Sequence, residues 1–406
     1  MLPSAALDQL VRGIRSARQS RAEEFSALAE CADLARAEAQ KLRQCCEAAS
    51  EQLPMWGGAA SFKELPILQR AFRADALPQA AWALIAVDGS QIFPNRHKSY
   101  LYAYARAQCQ AIVYNAHSEQ HHALMRALNA AECSAERVFT EAELLDPSTG
   151  ELQTQRVALE RSLLELEALT RACALAHAHG LRSIALLDGM LLPFALVNAR
   201  LEGENAAAFA RLLSALEQLR QSGAVVCGYV DRPNSRALVQ TIALGGLDPD
   251  EPNFGERVAQ RLNRVQGMLD RYFLESVLPP AHYTLPFIPA WRINRALERQ
   301  GHAVSVCYAN FGHPETVGMP STIIARLELP AWCADESSLH TVCAVLDRQV
   351  QLAGGYPMLL AMAHKAAAIT RAVERSVDQE LHARLTELGL MPELPSFKQQ
   401  LKEPEA

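Results

Sequence analysis

The sequence lacks several features that would place it in other classes of protein. Its ten cysteines include no CxxC pair, and no apolar run reaches the length of a membrane-spanning helix, about 18 residues. The N-terminus has no basic segment followed by an apolar stretch, which predicts that there is no signal peptide. These absences argue against a zinc site and a disulfide framework. We therefore expect free, mostly buried thiols, a cytoplasmic protein and no membrane partner.

The chain also lacks an excess of positive charge. Its formal net charge is −6, so composition does not indicate a nucleic-acid-binding protein, and such a role would need a local basic groove. Hydrophobic residues make up 50% of the chain and charged residues 21%, which is ordinary for a globular protein with a large core. A chain of 406 residues is long enough for two or three domains.

One apolar stretch ends on an acid. The segment from Trp82 to Val87 is short and contains Ile and Val, which predicts a buried strand, and Asp88 follows it directly. A carboxylate at the end of a buried strand needs a partner, because desolvating an unpaired charge is costly. Gly89 and Ser90 come next and are expected to turn the chain sharply. Asp88 is therefore a candidate metal ligand, and the alternative is an ordinary turn-forming Asp-Gly pair.

A second stretch repeats this pattern. The apolar run from Leu181 to Leu187 leads into Asp188 and Gly189. Strands and helices alternate after an initial meander of three strands, which predicts an α/β fold with a mixed sheet. If the first strand lies beside the fourth, Asp88 and Asp188 meet and repel each other unless a divalent cation lies between them. Oxygen ligands favour Mg²⁺ or Mn²⁺.

The helix predicted from Gln153 to His179 offers a third acid, and its candidates are Glu160, Glu165 and Glu167. Glu167 precedes Arg171 by four residues, which favours a surface ion pair. Glu165 shares a stripe with apolar residues at helical spacing, so it is expected to face the sheet, and we choose it. The alternative for Glu165 is an ordinary surface acid.

The order of strand-end Asp, helix Glu and fourth-strand Asp is the ribonuclease-H-like layout, and in detail the sequence resembles the NurA nuclease family. The resemblance covers roughly residues 80–380. The motifs that carry it are Ala86-Val-Asp88-Gly-Ser90, Leu186-Leu-Asp188-Gly, Arg232-Pro-Asn-Ser235, and Gly355-Tyr356-Pro357 leading to Ala363-His364. The fold class implied is a ribonuclease-H-like mixed sheet flanked by helices, with a long N-terminal helix and insertions.

The resemblance implies a manganese-dependent DNA nuclease, with Mg²⁺ as the alternative cation. Such a nuclease acts as a 5′-to-3′ exonuclease and a single-strand endonuclease, by hydrolysis of the two-metal type. It processes DNA ends in double-strand break repair, as a homodimer with a hexameric HerA-type ATPase. Carried over by motif, the metal-binding residues are Asp88, Glu165, Asp188 and His364, with Tyr356 beside them as a further catalytic residue. The Glu is the least firmly placed, because its spacing to Asp188 is not fixed by the motifs.

The spacing of residues near His364 gives separate support for a role of this histidine at the site. Tyr356 and His364 are eight residues apart on a predicted helix, so they share a face that also carries apolar residues. The alternatives are a buried core histidine and a tyrosine that only fills the Gly-Gly turn. Contacts with DNA are expected where side chains follow a strand or flank the first acid. The candidates are Arg232, Asn234, Ser235, Arg236 and Arg96, and the alternative for the arginines is solvation alone.

The chain is expected to have three regions. Residues 1–75 form an N-terminal helical region for contact with a second subunit or a partner. Residues 76–390 form the NurA-like nuclease domain, with insertions near 117–150 and 245–300, and residues 391–406 form a polar tail. Two other functions compete with the nuclease. They are an inactive DNA-repair scaffold of the same fold and another two-metal phosphotransferase, although no Gly-rich phosphate loop follows Asp88.

Overall fold

A computed structural model describes residues 4–73, 77–98, 100–130 and 133–390. The predicted tail at 391–406 lies outside the described residues. The chain divides into two compact units, and each consists of two separate segments. Unit 1 comprises Met1–Leu77 and Cys227–Pro357, and unit 2 comprises Pro78–Val226 and the chain from Met358 onward.

Unit 1 contains most of the short strands. Its helices are α1 (Ser4–Ala37), α2 (Ala39–Gln52), α7 (Ala237–Ala243), α8 (Phe254–Arg264), α9 (Asp270–Val277), α10 (Arg292–Glu298) and α11 (Glu336–Ala353), with a 3-10 helix at Ala331–Cys333. Its strands are β1 (Ala59–Phe62), β2 (Gln69–Ala71), β8 (His282–Thr284), β9 (Phe287–Pro289), β10 (Val304–Asn310), β11 (Ile324–Pro330) and most of β7 (Val225–Asp231).

Unit 2 contains the strands that carry both predicted aspartates. Its helices are α3 (Glu119–Leu128), α4 (Glu141–Leu144), α5 (Thr154–Ala178), α6 (Gly203–Gln221), α12 (Met358–Ala367) and α13 (Arg371–Glu387), with a 3-10 helix at Phe194–Leu196. Its strands are β3 (Trp82–Ile92), β4 (Ala103–Tyr114), β5 (Ala135–Phe139) and β6 (Arg182–Asp188).

The strands of unit 2 have the ribonuclease-H-like order. β3, β4 and β5 form an antiparallel meander, and β6 pairs with β3 in parallel on its other side. The long helix α5 makes the crossover between β5 and β6 and packs on β3, β4 and β6. The predicted placement of the first strand beside the fourth is therefore confirmed. The predicted fold class, a ribonuclease-H-like mixed sheet flanked by helices, is confirmed as well.

The first strand is longer than the sequence predicts. β3 continues through Asp88 and Gly89 to Ile92, so the expected sharp turn after Asp88 is wrong. Its antiparallel pairing with β4 runs from Trp82 to Ile92 without interruption. The parallel pairing with β6 stops earlier, at the pair Val87 and Leu187. Asp88 thus lies where the parallel pairing ends but inside the antiparallel one.

The meander uses strands other than those expected. The sequence predicts two separate strands, Tyr100–Arg106 and Gln110–Asn115, but most of both segments lies in the single strand β4, in which buried and half-buried residues alternate. The third strand of the meander is β5, which lies within residues 117–150 together with α3 and α4. The short strand β5 was not predicted because its alternation covers only five residues.

Both long helices that the sequence predicts at the two ends of the chain are interrupted. The N-terminal one divides into α1 and α2 at Glu38, although its apolar stripe, which includes Leu28, Cys31 and Leu42, is buried as expected. The sequence also predicts one helix from Pro357 to about Leu390, but the structure divides it into α12 and α13, and the Thr370 side chain accepts a hydrogen bond from Val373 N at the start of α13. The apolar segment that begins at Trp291 predicts a strand, which is wrong, because Trp291 precedes helix α10.

All ten cysteines are buried, as the sequence predicts, and among the described residues none forms a disulfide. Among the residues that the structure describes, no helix is both long enough and apolar enough to cross a membrane.

Candidate metal centre

Three side chains of unit 2 converge at the end of the parallel pairing. Asp88, Asp188 and His364 each offer one ligand atom, and these three atoms all lie within 4.8 Å of one another. Asp88 is 6% exposed, whereas the side chain of His364 is 71% exposed. The structure therefore brings together two predicted carboxylates and the predicted imidazole, from residues separated by 276 positions along the chain.

The two aspartates meet because of the register between β3 and β6. Val87 pairs with Leu187, so the next residue on each parallel strand is an aspartate. Neighbouring strands are about 4.8 Å apart, which brings their carboxylates within reach of a common cation. Asp88 Oδ1 accepts a hydrogen bond from Gly89 N at 2.7 Å, and Asp88 Oδ2 lies 2.7 Å from His364 Nδ1.

Glu165 lies in a gap at Gly89, the residue that follows Asp88 on β3. A Cβ atom placed on Gly89 would lie 2.4 Å from Glu165 Oε1 and 2.8 Å from Arg161 Cγ, so the side chains of Glu165 and Arg161 would have to shift. Successive side chains of a strand point to opposite faces, so α5 packs on the Gly89 face and Asp88 points to the other. Gly89 is therefore required because a helix carboxylate occupies the space of its missing side chain, and not because the chain turns.

Glu165 is buried beside charges of its own sign. It is 3% exposed. The pKa of Glu165 is raised to about 8, mainly by burial, with Arg161 lowering it and the charges of Asp88 and Asp188 raising it. Glu165 Oε1 lies 3.3 Å from Arg161 Nε, yet neither atom makes a hydrogen bond of good geometry within the described residues. The positive charge of Arg161 alone does not neutralise the carboxylates of Glu165, Asp88 and Asp188 when all three are ionised.

The other two helix acids have partners of their own. Arg211 binds Glu160 through two hydrogen bonds of 2.8 Å each and contacts Glu167 at 2.7 Å. Arg137 binds Glu160 as well, at 2.9 Å. Glu167 was expected to pair with Arg171, and it pairs instead with Arg211. Of the three candidates, only Glu165 lies against Gly89 and feels the charges of both aspartates.

The position of His364 follows from how α12 is held on the sheet. Arg106 on β4 donates hydrogen bonds to the carbonyls of Ala366, Ala367 and Ala368, at 3.0, 2.7 and 3.0 Å. These are carbonyls at the end of α12 that have no partner within a helix. Ser90 Oγ accepts a hydrogen bond from Ile369 N at 3.2 Å. Ser90 thus fixes the end of α12 to β3.

The exposure of His364 corrects an expectation. The sequence placed His364 on a largely inward face of its helix, but its side chain is exposed and only one edge of the ring contacts Asp88. With hydrogen on Nδ1, the ring donates to Asp88 Oδ2 and leaves Nε2 as the unprotonated nitrogen. In that state His364 orients the Asp88 carboxylate, and in the other tautomer Nδ1 itself is a ligand atom.

This set of donors fits a divalent cation. It consists of carboxylate oxygens and one imidazole nitrogen, ligands that Mn²⁺ and Mg²⁺ accept. Burial is the main cause of the raised pKa of Glu165, and the charges of Asp88 and Asp188 add to it, so a bound cation would favour the deprotonated form. Asp88, Asp188 and His364 would hold the cation, and Glu165 would join them once deprotonated.

Tyr356 lies in unit 1, just before the first residue of α12. Tyr356 therefore lies outside the helix that carries His364, and the prediction that the two residues share one helix face is wrong. The ring of Tyr356 packs edge-to-face on the buried ring of Tyr229, with centroids 5.5 Å apart. It lines a cavity that also includes Arg232.

The residues predicted to contact DNA differ in their surroundings. Arg232, Asn234 and Arg96 are exposed. Ser235 Oγ accepts hydrogen bonds from Tyr308 and from the backbone of Ala237. Arg236 donates two hydrogen bonds to the backbone carbonyls of Val265 and Met268. Ser235 and Arg236 thus have partners within unit 1, and any contact with DNA would be additional.

Two residues that shape the centre, Arg161 and Arg106, were not identified from the sequence, and the role of a third was wrongly predicted. Arg161 precedes Glu165 by four residues, which is the spacing of a helix ion pair and could have identified it. Nothing in the local sequence distinguishes Arg106, because its partners lie 260 to 262 positions away. Gly89 was noticed, but its role was assigned to a turn.

Comparison with known proteins gives one family. A family model described as the NurA domain matches residues 83–369, a range that contains Asp88, Glu165, Asp188 and His364. No curated protein matches. Among solved structures, the C-terminal lobe of a budding yeast Argonaute is similar at 9% identity with a TM-score of 0.24. The match covers 70% of this chain and 46% of that one, so this chain spans less than half of the Argonaute chain. Because the family model covers well over half of the sequence, the chain belongs to the NurA domain family.

Proposed function

We propose that this protein is a metal-dependent DNA nuclease that processes DNA ends in double-strand break repair. The observation that carries the proposal is the convergence of Asp88, Asp188 and His364 within 4.8 Å, with the buried carboxylate of Glu165 beside them. The NurA domain is associated with nucleases that act on DNA ends, and all four residues lie inside it.

Each residue of the centre would have its own role in hydrolysis. A bound divalent cation would stabilise charge on the phosphate and make water a better nucleophile, which is the chemistry of metal-dependent phosphodiester hydrolysis. Asp88 and Asp188 hold their carboxylates side by side through the strand register, so little reorganisation is needed to bind a cation. His364 is exposed enough to meet a substrate, and its hydrogen bond to Asp88 orients that carboxylate. Three carboxylates and an imidazole support the two-metal type of mechanism.

The finer parts of the proposal come from the family. They are Mn²⁺ as the cation, with Mg²⁺ as the alternative, 5′-to-3′ exonuclease and single-strand endonuclease activities, and a hexameric HerA-type ATPase as partner. A homodimer or partner contact through α1 is supported by exposed apolar residues on its first turns, Leu10, Val11 and Ile14. We place the protein in the cytoplasm, which the ten free thiols support.

The test is digestion of 5′-labelled single- and double-stranded DNA in Mn²⁺, in Mg²⁺ and in EDTA. Wild type should cleave with a cation and not in EDTA, and Asp188→Asn should lose cleavage while keeping its fold. Glu167→Gln is the matched control for Glu165→Gln, because both replace an acid of α5 but only Glu165 lies at the centre. Equal activity of wild type and Asp188→Asn would refute the proposal.

The same assay separates the alternatives. An inactive scaffold would bind DNA and cleave nothing in either cation, although the presence of all the predicted acids argues against it. A phosphotransferase of another kind would leave DNA intact and transfer phosphate from a nucleotide to an acceptor.

A further inference from the structure

A polar cavity of about 500 Å³ lies in unit 1. It is formed by residues at the end of β7 and the start of β11, by α9, and by the segment that precedes Pro357. Its volume is within the range of small-molecule sites, roughly 300–1,000 Å³, and is large enough for a nucleotide. None of the residues of the metal centre lines it.

Two arginines line this cavity. Arg271 has a buried Nε atom without a hydrogen-bond partner among the described residues, and its guanidinium stacks on Tyr272 with 4.8 Å to the ring centroid. Arg232 is exposed and has a φ of 42°, which is uncommon for a residue other than glycine. No acid of the described chain lies within ion-pair distance of either guanidinium. Two cations without counter-ions, one of them with a buried donor, fit a ligand with negatively charged oxygens.

The rest of the lining indicates more than a bare anion. Tyr356, held by the ring of Tyr229, contributes an aromatic surface, and Ile323 contributes an apolar one. Aromatic side chains stack on nucleic-acid bases of any sequence. Asp231 and Glu275 also line the cavity, and their carboxylates repel phosphate but accept hydrogen bonds from amino and hydroxyl groups. A nucleotide has a phosphate for the arginines, a base for the aromatic surface, and amino or hydroxyl groups for the carboxylates.

We propose that this cavity binds a nucleotide through its 5′-phosphate monoester, with the phosphate at Arg232 and Arg271 and the base against Tyr356. The inference rests on the proposed function, because an exonuclease that degrades DNA from 5′ ends meets this group in two forms. One is the phosphorylated 5′ terminus of a strand, and the other is the mononucleotide that cleavage releases.

The experiment measures binding in EDTA, where no cleavage occurs. Anisotropy is recorded with a 3′-labelled thymidine oligonucleotide that carries either a 5′-phosphate or a 5′-hydroxyl. The protein should bind the 5′-phosphate form at least about tenfold more tightly, the effect of a single hydrogen bond to a charged group. Arg271→Met should abolish the difference, and Arg271→Lys should keep part of it because the charge remains. Arg299→Met, which removes an exposed arginine elsewhere in unit 1, should keep all of it.

Competition experiments show whether the bound 5′-phosphate belongs to a strand terminus or to a released mononucleotide. Displacement of the 5′-phosphate oligonucleotide by thymidine 5′-monophosphate, but not by inorganic phosphate, supports a released mononucleotide as occupant. A preference seen only with the oligonucleotide supports the strand terminus. The proposal is overturned if neither probe shows a dependence on 5′-phosphate, or if Arg299→Met removes it as fully as Arg271→Met. Asp188→Asn should lose cleavage and keep the preference, so failure of the nuclease proposal and failure of this one give different results.

Discussion

Replacing Glu165 by glutamine should stabilise the metal-free protein, and it should do so more at pH 8 than at pH 6. The perturbation removes a carboxyl whose pKa burial raises from 4.5 to about 8. A raised carboxyl pKa means that the folded state holds its proton more tightly than the unfolded state does. The stability that this group contributes is therefore complete below about pH 4.5 and is lost as the pH rises towards 8.

The size of the effect follows from linkage. Each pH unit between the two pKa values costs about 1.4 kcal/mol, and the loss levels off near the folded pKa, so wild type should lose about 2 kcal/mol between pH 6 and pH 8 from this residue alone. Glutamine keeps the shape of the side chain and has no proton to lose. The stability difference between Glu165→Gln and wild type should therefore grow by about 2 kcal/mol over this interval.

The assay is urea unfolding in EDTA at pH 6, 7 and 8, for wild type, Glu165→Gln and the control Glu167→Gln. Glu167→Gln should follow wild type across this range, because its carboxylate is partly exposed and paired with Arg211. A stability difference between Glu165→Gln and wild type that does not change with pH would show that Glu165 is already ionised in the metal-free protein. Glu165→Gln should also lose cleavage, so the variant would be more stable and less active.

Three further predictions concern the surroundings of the centre. Gly89→Ala should destabilise the protein by about 1–3 kcal/mol through overpacking, and it should abolish cleavage. The destabilisation, measured in urea, should be smaller in a protein that also carries Glu165→Ala, because that change makes room for the added methyl group. Equal destabilisation in both backgrounds would contradict the close contact. Arg106→Met should cost about 2 kcal/mol in urea unfolding because three helix-end carbonyls lose a charged donor, and an unchanged midpoint would exclude that role. His364→Gln should weaken Mn²⁺ binding, measured by calorimetry, or cleavage activity by about 10- to 100-fold. If neither value changes, His364 has no role beside Asp88.

The two aspartates can be predicted as metal ligands because the pattern that identifies each one lies in neighbouring residues. An apolar run that ends on an acid is visible within ten residues, and Asp88 and Asp188 both show it. Glu165 was chosen from the periodicity of one helix, and its burial agrees with that choice. Each of these inferences needed only neighbouring residues, which is why the pattern sufficed.

Other features depend on which element approaches another. Gly89 has no signal that separates a turn from a close approach, because the atom that needs the space belongs to α5. Arg106 binds carbonyls more than 250 positions away, beyond the reach of any periodicity. The break before α13 was detectable, since Thr370 is a favoured residue at the start of a helix and accepts a hydrogen bond from Val373 N.

The discontinuity of unit 2 has a consequence for how the centre comes into being during synthesis. Both aspartates are made early, but the histidine follows only after the whole second segment of unit 1, 276 positions after Asp88. Contacts of such long range form slowly, because the chain between them must first be ordered. A ribosome that stops between residues 188 and 364 releases a chain that has both aspartates but lacks His364. The three ligand residues should therefore come together only in chains whose translation has passed residue 364.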